Sequence, residues 1–380
     1  MFRPADMGKA VRCAAVVAVI MSACSCTQER SVDDRFRRAL EQGQAQSRVP
    51  FKIDMHSHIS HAGFDHAISL MDKNGIAMAV NMSAGTPGNG LETAMVLAHL
   101  SSDRIINFTT IDWDYIDDPA KFAAGNTRDM RRAKQLGARG LKVHKALGLG
   151  VTLADGSLLK IDDPRLDPIW REAGALGLPV MIHVADPVAF FEPPIPSNER
   201  YAELSVHPDW SFSDPPYPKF AELLAGLESI VARHPGTTFI GVHFGNYAEN
   251  PQFVGRMLDS CPNYFIDTAA RVPEFGRHNA RAMRDFFIKY QDRIVFGTDI
   301  GISRHDLMLG SGDGLEKNDG DAARFYDAHW SYFEGRGKQI ETPTPIQGNW
   351  KIDAIDLPTP VLEKLYYKNA RKLLGIKISR

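Results

Sequence analysis

Eight short β-branched runs, separated by helical patterns, organise the chain. They occupy residues 51–56, 76–83, 105–112, 140–144, 180–183, 238–243, 264–267 and 294–297. Amphipathic segments at 64–73, 91–100, 128–136, 164–176, 220–233 and 280–290 separate them. This alternation implies βαβ units and a parallel sheet, because parallel neighbours need a crossover long enough to hold a helix. Eight repeats predict an α/β fold of the distorted (β/α)8 TIM-barrel type, with an open doubly wound sheet of six or seven repeats as the alternative. No Gly-x-Gly-x-x-Gly follows the first run, which counts against dinucleotide binding.

Two connections exceed a simple turn. Residues 186–218, after the fifth run, carry Phe190, Phe191, Trp210 and Phe212. Residues 300–357, after the eighth, carry Phe325, Tyr326, Trp330, Tyr332 and Phe333. Both leave the C-terminal ends of strands, the face on which barrels build their sites, so they are expected to act as lids or pocket walls around a flat or aromatic molecule. The tail 358–375 is amphipathic and is expected to form the helix that completes the barrel.

The N-terminus reads differently. Arg3, Lys9 and Arg12 precede an apolar stretch at 13–23 that is too short to span a bilayer. Met21-Ser22-Ala23-Cys24 resembles a bacterial lipobox, which implies cleavage before Cys24 and a lipid anchor on its thiol; Cys26 is a weaker alternative. Three units follow: a signal peptide at 1–23, a polar tether at 24–50 and a barrel domain at 51–380. The expected location is the periplasmic face of an outer membrane, with the membrane touched only through the lipid. The net charge of −2 lacks the basic excess of a nucleic-acid surface. Three cysteines after cleavage make no disulfide framework.

Polar residues collect where the runs end. The first closes on Asp54-Met55-His56-Ser57-His58, and residues i and i+2 of a strand point the same way, so both imidazoles can enter the barrel mouth. The fifth ends at His183, the sixth at His243, and Asp299 follows the eighth. Four imidazoles and a carboxylate, each at a C-terminal strand end, suit one divalent ion: Zn²⁺, with Mn²⁺ or Fe²⁺ also fitting. On the fourth run Lys142 and His144 share the face opposite Leu141 and Val143. Arg271, past the seventh, can hold a carboxylate in bidentate fashion or form a structural salt bridge. Asp54 is expected to orient the histidine pair.

The ordered set His56-x-His58, His183, His243 and Asp299 resembles the amidohydrolase superfamily. The opening Lys52-Ile53-Asp54-Met55-His56-Ser57-His58-Ile59 is similar to its amidohydrolase-related branch, which includes aminocarboxymuconate semialdehyde decarboxylase. The resemblance covers about residues 51–375. It implies that His56, His58, His183 and Asp299 ligate a mononuclear metal, and that His243 acts on substrate or water. It also raises Lys142 as a carbamylated bridge between two metals, against an unmodified lysine that faces substrate or is structural.

The expected activity is hydrolysis of a small molecule, with metal-activated water attacking an amide, lactone or ester carbonyl and Asp299 and His243 as the catalytic pair. Non-oxidative decarboxylation of a small carboxylic acid is the alternative, with Arg271 or Lys142 as the cation near the carboxylate; Lys142, His144 and Arg271 are the expected substrate-binding residues. A non-catalytic surface barrel is the third reading. A homodimer is one open assembly state.

Overall fold

The computed structural model describes residues 47–376. The signal peptide, the anchor cysteine Cys24 and the tether up to residue 46 lie outside the described residues, as do 377–380. No described helix is long and apolar enough to cross a membrane.

The strands are β1 (Lys52–Ile59), β2 (Ile76–Asn81), β3 (Ile105–Asn107), β4 (Thr109–Thr110), β5 (Leu141–Val143), β6 (Val180–Ile182), β7 (Phe239–Gly241), β8 (Tyr264–Asp267), β9 (Ile294–Val295), β10 (Ile300–Ile302) and β11 (Leu307–Leu309). They form two sheets, β11-β10-β1-β2-β3 and β4-β5-β6-β7-β8-β9. All pairings are parallel except the antiparallel return of β11 on β10.

Two of the eight expected strands are split, and the splits connect the sheets. The third breaks at Phe108: β3 bonds β2, while β4 bonds β5. The eighth breaks at Gly297-Thr298-Asp299: β9 bonds β8, while β10 bonds β1. Backbone hydrogen bonds from Phe108 N to Asn81 O (3.1 Å), Met55 N to Phe296 O (2.9 Å) and Asp299 N to His56 O (2.8 Å) cross the breaks. The two sheets follow one another round the strands in chain order, joined through the two split strands rather than by a ladder. This is a (β/α)8 barrel distorted at its third and eighth strands. The strands are apolar runs buried on both faces, as expected where helices cover the outside of a parallel sheet.

Local chemistry sets the helix ends. Asp118 accepts from Lys121 N and Pro119 occupies the first turn, so that helix runs Pro119–Leu136 and starts well before the expected residue 128. Asn250 and Asn279 cap Pro251–Ser260 and Ala280–Lys289 in the same way. The C-terminal tail is helical as expected, with a π-helical turn, Lys364–Lys368, between Thr359–Glu363 and Asn369–Leu374. It closes against the eighth strand through Phe296 N to Leu365 O at 3.0 Å.

The connection 300–357 walls the cavity through Met308, Gly310, Ser311 and Gln347, but its aromatics form no lid. It contains β10, β11 and the helix Asp319–Glu334, which opens with a capping box of Asn318 and Asp321. Phe325, Tyr326, Trp330, Tyr332 and Phe333 are buried on that helix, packing on Phe296, Phe275 and Tyr366. Helical spacing turned these rings inward, where large aromatic area is best buried.

Gly241 shows how tightly β7 meets β8. A Cβ there would lie 1.9 Å from Tyr264 Oη and 3.0 Å from Gly245 Cα. Gly241→Ala is therefore expected to lower stability by about 1–3 kcal/mol through overpacking, read from the urea midpoint. An unchanged midpoint would show that the tyrosine yields freely.

Candidate active site and metal centre

The C-terminal strand ends surround a cavity of about 200 Å³. His58, Lys142, His144, His183, His243, Arg271 and Asp299 border it, together with Lys145, Asp186, Phe190 and Trp210. His56 sits beneath, fully buried. The expected polar residues are thus brought together. Of the expected aromatic walls only Phe190 and Trp210 reach the cavity; Phe191 packs instead on Phe212 and Phe220.

His56, His58 and Asp299 each offer a ligand atom, and these atoms lie within 4.8 Å of one another. Asp299 Oδ1 is 3.4 Å from His56 Nε2 and 3.3 Å from His58 Nε2. The opposite ring nitrogens are engaged: His56 Nδ1 meets Asp267 Oδ2 at 2.7 Å and His58 Nδ1 meets Ser83 Oγ at 2.6 Å. A donor at Nδ1 leaves the lone pair on Nε2, the tautomer a metal requires, and at His56 that lone pair is met by Lys142 Nζ at 3.0 Å. Two imidazoles and a carboxylate at this spacing fit a divalent ion.

His183 and His243 extend the group, their rings packed edge to face 4.3 Å apart. His183 Nε2 faces Asp186 Oδ1 at 3.2 Å, outside the tight three-atom cluster. His243 Nδ1 lies 3.0 Å from Ala269 O, so Nδ1 donates and Nε2 is the basic nitrogen. His243 does not lie on a strand as expected. β7 ends at Gly241, and His243 and Phe244 take positive φ, 55° and 57°. Asp299 has φ 64°. Side-chain-bearing residues adopt this region at a cost of about 1–3 kcal/mol, and it concentrates at functional sites.

Lys142 points inward from β5, with Nζ 3.0 Å from His56 Nε2. Burial lowers its pKa to about 8. His144 borders the cavity, held neutral by burial and by the charge of Lys142, which take it down to about 2. Arg271 forms the structural salt bridge, with Nη2 3.7 Å from Asp186 and Nη1 donating to Ala270 O at 2.9 Å, and its side chain also borders the cavity.

Asp54 does not contact the histidine rings. Its Oδ1 accepts from His56 N and Thr298 N, both at 3.1 Å, and Oδ2 accepts from Thr298 Oγ1 at 2.5 Å. It joins the first strand to the split eighth. The carboxylate that orients His56 is Asp267, whose Oδ1 also accepts from His243 N at 2.7 Å. Sequence reasoning passed over it, although a carboxylate ending an apolar buried strand was the available signal. Asp186 was also missed. It pairs with Lys145 at 2.6 Å besides His183 and Arg271.

The electrostatics divide the groups. Burial lowers the pKa of His56, with the Lys142 charge adding to it; burial and the charge of His183 do the same for His243. Burial would raise Asp299, but the imidazoles of His56, His58 and His243 outweigh it and hold the carboxyl well below its usual range. Burial pushes Asp54 and Asp267 up to about 7. The cavity thus brings the lowered imidazoles of His56, His144, His183 and His243 beside two carboxyls, Asp186 and Asp299, held well below their usual range.

A family model described as Amidohydrolase matches residues 53–376. No curated protein matches the sequence. Among solved structures, the chain is similar to an uncharacterised TIM-barrel protein from Bordetella bronchiseptica, at 13% identity over 86% of this chain and 98% of that one, TM-score 0.50. A 2,6-dihydroxybenzoate decarboxylase from Rhizobium aligns at 17% identity over 85% and 98%, TM-score 0.48. A 4-oxalomesaconate hydratase from Rhodopseudomonas palustris aligns at 14% over 85% and 95%, TM-score 0.48. At these identities the likeness is one of fold, and the first structure carries it.

Two outcomes follow from this geometry. Asp267→Asn weakens the hold on His56, so zinc affinity measured by competition with a chromophoric chelator is expected to fall about 10–100-fold; unchanged affinity would remove Asp267 from the ligand-orienting role. The metal-free protein is expected to lose stability as pH falls from about 7 to 5. His56, His144, His183, His243 and His329 have lowered pKa values, so below about 6.5 the unfolded chain takes up protons that the folded chain does not. Asp54 and Asp267 act in the opposite sense over this window, but the imidazoles outnumber them. Urea midpoints that do not fall would show that the imidazoles are not held neutral.

Proposed function

This chain belongs to the amidohydrolase family, and on that premise we propose that it is a metal-dependent hydrolase of a small molecule with an amide, lactone or ester carbonyl. The observation that carries the reading is Asp299: an ionised carboxylate at the cavity, set between the Nε2 atoms of His56 and His58. His56, His58 and Asp299 would hold the ion, with His183 adjacent. When bound, a divalent ion supplies Lewis acidity to a carbonyl or a water molecule.

The protein's own groups do the rest. Asp299 accepts the proton of the attacking water and returns it to the leaving group. His243, neutral and basic at Nε2, donates no proton until it has gained one, so its part is to accept a proton or a hydrogen bond from water or substrate. Lys145 and Arg271 supply donors at the cavity for a carboxylate or carbonyl of the substrate. That cationic pair also supports a second reading, decarboxylation of a small carboxylic acid, in which the same groups hold the carboxylate while the carbon is protonated. Export by the signal segment and attachment through Cys24 belong to the proposal and place the substrate outside the cytoplasm.

Elemental analysis of protein expressed from Thr27 is expected to give about one divalent ion per chain, preferentially zinc. Two per chain would assign Lys142 to a carbamylated bridge, and none after reconstitution would overturn the metal-dependent reading. On a panel of lactones, amides and carboxylic acids, turnover with carbonyl cleavage is expected; CO₂ release alone would replace it with the lyase reading. Asp299→Ala is expected to abolish turnover and weaken metal binding, whereas His243→Ala lowers the rate by about 10²–10⁴-fold with metal retained. Full activity of Asp299→Ala would end the assigned mechanism.

A further inference from the structure

One nitrogen at the floor of the site has two claims on it. A neutral imidazole carries a single ring lone pair. At His56, Nδ1 is engaged by Asp267 Oδ2 at 2.7 Å, which leaves the lone pair on Nε2. That nitrogen, 3.4 Å from Asp299 Oδ1, is the one His56 can offer to an ion shared with His58 and Asp299. Lys142 Nζ already meets it, at 3.0 Å.

The contact is fixed from both sides. Lys142 is the middle residue of β5, in register with Thr110 on β4 and Met181 on β6, and is 1% exposed. His56 is fully buried and held from behind by Asp267. Among the described residues, His56 is the one hydrogen-bond partner of Nζ. Burying a lysine is costly, and here the charges of Asp299 and Asp267 offset part of that cost. Those carboxyls and that imidazole also serve the metal centre, one as a ligand and one as the anchor of a ligand. Lys142 thus stands where the site favours a cation.

One lone pair cannot serve both. Resting on the metal-dependent reading above, we infer that Lys142 is a positioning residue that competes with the metal: its Nζ holds His56 Nε2 until an ion takes that lone pair, and the ion must displace it. The lysine keeps His56 aimed before loading and lowers the affinity of the loaded site. This is opposite in sign to a carbamylated lysine, which would add a ligand and raise affinity.

The test compares zinc affinity of the wild type and Lys142→Met, each expressed from Thr27, by competition with a chromophoric chelator. Methionine fills the space without a donor. A hydrogen bond from a charged group must be broken only in the wild type, so the variant is expected to bind zinc about tenfold or more tighter. Loosened packing or a lost ligand would weaken binding, so the sign separates competition from a structural role. Equal or weaker binding by the variant overturns the inference and leaves the metal-dependent reading standing. No zinc binding by either protein overturns that reading and this inference with it. A second readout needs no zinc. In metal-free protein with isotope-labelled histidine nitrogens, the NMR signal of His56 Nε2 is expected to move when Lys142 is replaced, as the nitrogen loses its donor; an unmoved signal overturns the inference. If Lys142→Met does not fold, Lys142→Leu carries both measurements.

Discussion

A single fully buried carboxylate, Asp267, holds the site together. One of its oxygens takes Nδ1 of His56, and the other takes the backbone N–H of His243 and of Ala269. The first strand, the turn after β7 and the segment after β8 therefore share one anchor. An isolated charge in this position would be expelled or neutralised, and burial does push its pKa upward. Three hydrogen bonds, and the charge of Lys142 nearby, make the position tolerable. In return, His56 is fixed in tautomer and direction, and His243 is committed to its left-handed turn.

The distortion of the barrel serves the same end. A regular eighth strand would carry Asp299 past the mouth with an ordinary extended backbone. The break between β9 and β10 gives Asp299 a positive φ, and Asp54 ties the break to the first strand through Thr298. His243, Phe244, Asn246 and Ala270 carry the same unusual backbone sign after β7 and β8. Backbone strain of this kind persists only where surrounding contacts over-determine it. Here the contacts are buried carboxylates and a core packed on both sides of the sheet.

Charge is distributed to keep unlike roles apart. Burial and the charge of Lys142 lower the pKa of His56, while Asp299, bonded by neighbouring imidazoles, and Asp186, beside Lys145, His183 and Arg271, are held well below the usual carboxylate range. Nitrogen donors, ionised carboxylates and cations around one cavity suit metal-assisted chemistry on a small molecule.

Much of this was legible in the residues alone. Strand–helix alternation is a periodicity carried by every segment, so the barrel could be read from it, and histidines placed after apolar runs marked the site-bearing end. The helix start at Asp118-Pro119 is a local capping signal that hydrophobic periodicity alone does not register. Tertiary structure alone decided which carboxylate serves His56. Asp54 is two residues away in sequence yet turns to the eighth strand, whereas Asp267 arrives across the barrel from 211 residues further on. It decided too that the aromatics of 319–334 belong to the core. Local pattern determines which elements form and which face is apolar. Which polar atoms meet is set by closing the ring of strands, because hydrogen bonds act over ångströms between residues that only the closed fold brings together.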